Sequence, residues 1–230
     1  MFDLAALDLL STAHLADACV RLRLPVQALP VVAVAAPARA AGRVLPARHA
    51  GSVDIFLEAI ERSRPGDVLV VDNGGRTDES CVGDLVVHEA ALAGLAGVVI
   101  WGLHRDTADI REIGLPVFSL GALPAGPPRA RDRSMDALSV ARIGDATVGQ
   151  DDLVVADEDG ALFLPSDRLA EIVSVAAGIR GSERRQADQL RAGRSLRDQL
   201  GFADFLAERD RNPGWTFRDH LRAGQGAIEE

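Results

Sequence analysis

Residues Gly83–Asp106 read GDLVVHEAALAGLAGVVIWGLHRD, and this stretch decides the fold. Gly83-Asp84 opens a helical run that Gly94 closes, and Val98-Val99-Ile100-Trp101 follows as a buried strand. A Gly-containing turn then leads to the pair Arg105-Asp106. With the apolar run Asp67–Val71 before it, the stretch forms a strand–helix–strand unit, whose two strands are expected to be parallel with a right-handed crossover. That order brings an acid at a helix start close to a cation and a second acid just beyond a strand end. A divalent metal and a small anionic substrate suit such a place.

What the chain lacks is also informative. It contains no lysine, so all 25 basic residues are Arg. Schiff-base chemistry needs a lysine amine, and a Walker-type phosphate loop needs Lys as well. Carbanion chemistry here therefore requires a metal or another electron sink.

The length of 230 residues suits one large domain with a helical tail. We place the domain at residues 1–194 and the helical C-terminal extension at 195–230. Hydrophobic residues make up 47% and aromatic residues 4%, which points to a core of Val, Leu and Ala. The formal net charge of −9 opposes nucleic-acid binding. The Arg-rich clusters at 129–133 and 180–197 contain acids or follow helical periods and read as solvated faces. Cys19 and Cys81 form neither a metal-spaced pair nor a disulfide framework, which suits a reducing cytoplasm. The N-terminus has no basic n-region of a signal peptide, and no apolar run reaches membrane-spanning length.

Local patterns predict further elements. Residues 3–23 read as helix in two pieces broken near Ser11-Thr12. Leu29–Ala36 and Arg43–Leu45 read as strands around a Pro37–Gly42 turn, and Ser52 reads as the N-cap of a helix through Arg62. A short helix at 107–113, a strand Pro116–Leu120 and a Gly/Pro-rich surface loop at 121–128 follow. Strands are expected at 136–143, 152–156 and 161–164, the last two joined by the turn 157–160. Ser166 then caps a long helix to about residue 192, and 196–230 reads as short helices broken at Asn212-Pro213-Gly214.

In open α/β sheets ligands collect beyond the carboxyl ends of strands, here the loop 72–83 and the turn 102–106. The first turn after Gly83 leaves backbone N–H groups unpaired, and with the positive helix end they favour a carboxylate. Arg105 adds a two-pronged donor for the same group. Asp84 and Asp106 are hard oxygen donors suited to Mg²⁺ or Mn²⁺, and Mg²⁺ takes only one or two carboxylates. Plainer readings stand beside these: Asp106 as the N-cap of the next helix, and Arg105-Asp106 as a structural ion pair. His104 reads either as a packed side chain or as a pocket base. His88 faces the pocket or a neighbour, and His14, His49 and His220 have no constellation around them. Cys81 reads as an inert thiol, and Asn73-Gly74-Gly75 as a close ligand approach or a tight turn.

The run from Pro65-Gly66-Asp67 through Arg105-Asp106 to Gly114-Leu115-Pro116-Val117-Phe118 resembles one known family. That family joins the RraA-like regulators of ribonuclease activity with the metal-dependent 4-hydroxy-4-methyl-2-oxoglutarate/4-carboxy-4-hydroxy-2-oxoadipate aldolases. The similarity spans residues 11–194. It implies a swivelling β/β/α-type fold, here an α/β protein with a mixed sheet flanked by helices, assembled as a trimer or dimer of trimers. It also implies that Arg105 binds pyruvyl oxygens, that Asp106 holds the metal, and that Asp84 lies by the metal's water shell. Gly83, Asp84, Leu85 and Val86 then line the substrate with Arg105. Asp109 matches a further acid of the aldolase branch, and Glu183 matches an acid supplied by an adjacent subunit. Trp101 and His104 depart from the family pattern, where an acid and a small apolar residue are common, and the tail after 200 is longer than in short members.

The expected function is a divalent-metal-dependent lyase of the cytoplasm. It cleaves 4-hydroxy-2-oxo acids by a retro-aldol reaction to release pyruvate, or decarboxylates oxaloacetate, with no nucleic acid or membrane partner. The alternative is a non-catalytic regulator that binds and inhibits a ribonuclease. A methyltransferase ranks last, because no Gly-rich nucleotide loop of the usual kind is present.

Overall fold

The computed structural model describes residues 4–224. The first residue of the helix expected over 3–23, and the end of the tail at 225–230, lie outside the described residues. Leu4–Leu7 forms a 3-10 turn, and α1 spans Thr12–Arg21 with Ser11 as its N-cap, the Ser11 hydroxyl accepting from the His14 amide. The expected break near Ser11-Thr12 is therefore a helix cap.

The single strand expected over Leu29–Ala36 is divided. β1 is Gln27–Leu29 and β2 is Val32–Ala33, separated at Pro30, whose ring nitrogen has no hydrogen to donate to a ladder. β3 runs over Ala40–Arg48, longer than the expected Arg43–Leu45. Helix α2, Asp54–Glu61, is not capped by Ser52: its N-cap is Val53, without a side-chain bond. The Ser52 hydroxyl instead bonds the Asp54 carboxyl and helps hold its pKa below the usual range.

The central unit follows as β4 (Val68–Asp72), β5 (Ser80–Val82), α3 (Asp84–Leu92), β6 (Gly97–Trp101) and β7 (Leu103–His104). α4 is Thr107–Ile113 and β8 is Val117–Ser119. Residues 136–139 form a turn rather than the start of a strand, so β9 is only Val140–Ile143, and it pairs with β10, Ala146–Gly149. β11 (Asp152–Asp157) and β12 (Gly160–Pro165) form the expected hairpin. Ser166 does not cap the long helix: a 3-10 turn over Ser166–Arg168 precedes α5, Leu169–Arg191. The tail holds α6 (Leu196–Gln199), α7 (Phe202–Arg211) and α8 (Phe217–Ala223).

Eight strands form one mixed sheet in the order β1-β12-β11-β3-β4-β6-β8-β2. β4 and β6 are parallel as expected, in register from Val68↔Gly97 to Asp72↔Trp101. All five residues of β4 are buried, as a parallel strand covered on both faces requires. β1 and β2 occupy opposite ends of the sheet order, yet only Pro30 and Val31 separate them in the chain. Three residues of extended backbone span about 10 Å, so the sheet must curl until its edges meet.

Curling creates an inside and an outside. Val44, Val68, Val70, Val99, Phe118 and Phe163 fill the inside together with Ile143 and Val148 of the β9–β10 hairpin. Outside, α2, α3 and α4 contribute Ile55, Phe56, Val87, Ala90 and Ile110 against Leu69, Val71, Val98 and Ile100. α1 and α5 cover β11 and β12 through Leu15, Cys19, Ile172 and Ile179.

Candidate functional site

β5 and β7 form a short parallel ladder past the carboxyl ends of β4 and β6, pairing Ser80↔Leu103 and Val82↔His104. Its effect is to put Gly83 and Arg105 side by side. The Arg105 amide donates to the Val82 carbonyl at 2.9 Å. A Cβ built on Gly83 would lie 2.5 Å from Asp106 Oδ2 and 3.2 Å from Arg105 Nε. Gly83 is extended (φ −124°, ψ −175°), so space and not backbone conformation requires glycine there.

The sequence-predicted residues Gly83, Arg105 and Asp106 therefore meet, while Asp84, Leu85 and Val86 follow Gly83 in the first turn of α3, with Val86 in the core and Leu85 exposed. Arg105 Nε lies 3.3 Å from Asp106 Oδ2, with half of the arginine side chain exposed. Such an open pair adds little stability. Asp84 is half-buried in the first turn of α3, and its carboxylate accepts no hydrogen bond from the described residues. Asp106 is the N-cap of α4, but it sits in the left-handed region (φ 59°, ψ 42°) and its carboxylate makes no capping bond. The plain N-cap reading thus fails at the side chain. Asp106 and the Arg105 guanidinium thus meet Gly83 at the start of α3, where Asp84 and the open amides of the first turn follow, residue types suited to an oxyanion and a hard cation.

Other residues stand apart. Asp109 is exposed on the first turn of α4. Glu183 is on α5, which packs on α1 over other strands, and its carboxylate meets His14 Nε2 at 3.0 Å. His88 is exposed. His104 is buried, its ring bonded to Ser119 Oγ at 2.7 Å and to Thr107 Oγ1 at 3.0 Å, and burial lowers its pKa. It is the packed histidine rather than a pocket base.

Three histidines read as isolated have partners. His14 meets Glu183. His49 stacks on Phe56 at 5.3 Å and bonds Asn73 Oδ1 at 2.9 Å, 4.0 Å from the buried Glu79. His220 joins Phe205 and Phe217 in the tail. Glu79 in turn accepts from Arg131 and Arg76, which hold its pKa down. Gly74 and Gly75 have positive φ, and the Cβ space of Gly75 is filled by the Trp101 ring at 2.6 Å, so that turn serves packing. Burial pushes the Cys81 thiol up to about 12, an inert group at neutral pH.

Sequence reasoning missed the loop at 121–128 as part of the site. Ser80 donates to the Ala125 carbonyl from both its amide (2.8 Å) and its hydroxyl (3.0 Å). This brings Gly126 against Arg105, where a Cβ would lie 3.0 Å from Nη1. A glycine before two prolines was the one available signal.

Known proteins resemble this chain in sequence and in fold. A 4-hydroxy-4-methyl-2-oxoglutarate aldolase from Thermus thermophilus is 32% identical over 141 residues, 60% of this chain and 85% of the relative. Protein DlpA of Legionella pneumophila is 31% identical over 137 residues, 60% of this chain but only 22% of DlpA's length. Among solved structures, Streptomyces coelicolor RraAS2, described as an unusual member of the RNase ES inhibitor RraA protein family, superposes with a TM-score of 0.70. It is 28% identical, and the match covers 79% of this chain and 93% of that one. The Aldolase/RraA family model matches residues 12–163, and the chain belongs to this RraA-like family.

Proposed function

We propose that the protein is a divalent-metal-dependent lyase that cleaves 4-hydroxy-2-oxo acids in the retro-aldol direction to release pyruvate, or decarboxylates oxaloacetate. One observation carries the reading: Asp106 and Arg105 lie against Gly83, whose missing side chain makes room for them at the start of α3, where Asp84 and the unpaired amides follow. The residues fit a hard cation. Asp84 and Asp106 offer hard oxygen donors, and Mg²⁺ takes only one or two carboxylates, while among the described residues no group of three His, Cys, Asp or Glu side chains surrounds a point. Asp106 would hold the ion, with Asp84 alongside. Bound there, it would supply Lewis-acid polarisation of the substrate's 2-keto oxygen.

The chain's own groups do the rest. The amides of Asp84, Leu85 and Val86 bind the substrate carboxylate, and Arg105 grips the pyruvyl oxygens with two parallel donors. Asp84 takes the proton of the C4 hydroxyl as the C3–C4 bond breaks and its electron pair passes to C3. Return of that proton from Asp84 to C3 then yields pyruvate and restores the carboxylate. Asp109, on the first turn of α4, extends the acidic rim.

We place the catalytic domain at 1–194 and the helical extension at 195–230, and assign the protein to the cytoplasm as a homotrimer or a dimer of trimers. On α3, Leu85 and Leu92 are 74% and 82% exposed, two apolar side chains that a neighbouring copy would cover. Glu183 would reach the neighbour's site. No helix among the described residues is long and apolar enough to cross a membrane.

The test is a pyruvate-release assay over a panel of 4-hydroxy-2-oxo acids and oxaloacetate, with and without Mg²⁺. Metal-dependent release is the expected result. The second reading, inhibition of a ribonuclease, is favoured by the likeness to RraAS2. It prevails if the panel is silent and a ribonuclease is bound and inhibited stoichiometrically.

A further inference from the structure

Asp106 and Arg23 are the two described residues other than glycine with positive φ. An aspartate at a helix N-cap normally takes extended backbone and accepts a bond from the second or third amide of the helix. Asp106 does neither. Its left-handed backbone is less accessible to a residue with a Cβ than to glycine, although Asp is among the side chains that adopt it singly.

The residues on either side of Arg105-Asp106 hold the pair in place. His104, at the end of β7, and Thr107, the first residue of α4, are bonded to one another through Nε2 and Oγ1 at 3.0 Å, closing a ring around the pair. The other ring nitrogen of His104 is anchored at 2.7 Å on Ser119 Oγ, which is fully buried at the end of β8. Ser119 Oγ donates to the Gly121 carbonyl (3.2 Å) and accepts from the Gly121 amide (3.1 Å). The consistent proton arrangement has His104 Nδ1–H donating to Ser119 and Nε2 accepting from the Thr107 hydroxyl. At 5% exposure the ring has no path to a substrate.

We infer that the His104–Thr107 clasp is a positioning device for cation binding: it keeps Asp106 out of its default capping geometry and so leaves the carboxylate beside Gly83 and Arg105. The inference rests on the proposed role of Asp106 as the metal residue. Without the clasp, α4 can swing about Asp106, the backbone relaxes to the extended region, and the carboxylate turns to cap the α4 amides. His104 is thus a positioning residue and not a catalytic one.

The experiment is Mn²⁺ binding to the metal-free full-length protein, followed by the loss of the free-ion electron paramagnetic resonance signal, with a thermal melt of each variant. Thr107→Val keeps the shape of the side chain and removes the hydroxyl. It should weaken Mn²⁺ binding about 10–100-fold, the usual cost of losing a partner that orients a ligand. Thr107→Ser should bind as wild type. If Thr107→Val does not fold, His104→Asn makes the same comparison, because it can keep the Ser119 bond but cannot reach Thr107. Wild-type affinity in Thr107→Val or in His104→Asn overturns the clasp while leaving the metal reading intact. If the wild type binds no Mn²⁺, or if Asp106→Asn binds it as well as wild type, the metal reading falls and the clasp's role falls with it.

Discussion

Asp106 stands where a side chain on Gly83 would stand, its Oδ2 2.5 Å from the position of a Cβ there. Because Gly83 is extended, alanine fits its backbone without strain. Gly83→Ala should therefore leave the melting temperature close to wild type while displacing Asp106 and Arg105. A misplacement of about 1 Å can cost 10²-fold in rate. We expect a loss of that order in pyruvate release. Full activity in this variant would mean that the packing of these two residues is irrelevant to turnover.

Asp106→Asn preserves volume and removes charge. Activity should fall at least about a hundredfold, equivalent to about 2.7 kcal/mol of transition-state stabilisation. Arg105→Lys should raise KM for 2-oxo acids, since a point charge cannot copy the planar fork. Steady-state kinetics on the pure variants decides. If both remain near wild type, catalysis takes place elsewhere on the molecule.

The central unit was legible because its signals are local: Gly83 and Gly94 bracket one helix, and β4 and β6 are continuous apolar runs. The meeting of Gly83 with Arg105-Asp106 was legible for the same reason, since the βαβ connection leaves little choice over which loops meet. What escaped was set by distant partners. β5 and β7 are three and two residues long, and only their mutual pairing makes them strands. Glu79 shows nothing in sequence of the two arginines that bury it, one of them 52 residues away. The αL backbone of Asp106 depends on His104, Thr107 and Ser119, brought together from three elements. Ser52 and Ser166 look like caps, yet Val53 is the N-cap of α2 and Arg168 that of α5, neither with a side-chain capping bond.

Acid should destabilise the fold in two stages. Burial lowers the pKa of His49 below its ordinary 6.5, with its bond to Asn73 and the nearby Glu79 only partly opposing this. The unfolded chain therefore binds more protons than the native one as pH drops below about 6.5, and stability falls. Above that pH the histidine contributes no slope. Glu79, held below its ordinary 4.5 by Arg131 and Arg76, adds a second loss as pH falls through and below 4.5. Urea midpoints at pH 7.5 and 5.5 report the first stage. In His49→Gln the difference between the two should shrink, and an unchanged difference would assign the first stage to another group, such as the buried His104.

Glu183 tests how the site is assembled. In a single chain it faces His14 at 3.0 Å and is half-exposed, away from Arg105. If that contact is its whole role, Glu183→Ala should cost a few tenths of a kcal/mol in stability, as for an exposed pair, and nothing in turnover. If the neighbouring copy needs this carboxylate, turnover should fall about 10–100-fold with pyruvate affinity largely kept. The two cases separate in a mixing experiment. Glu183→Ala and Asp106→Asn subunits carry their defects on opposite sides of a shared site, so hetero-oligomers should regain a fraction of wild-type sites and activity. Mass spectrometry establishes that subunits have exchanged. Full turnover in Glu183→Ala alone would confine Glu183 to its contact with His14, and a mixture that exchanges but gains no activity over two impaired parents would mean that the site is not shared through Glu183.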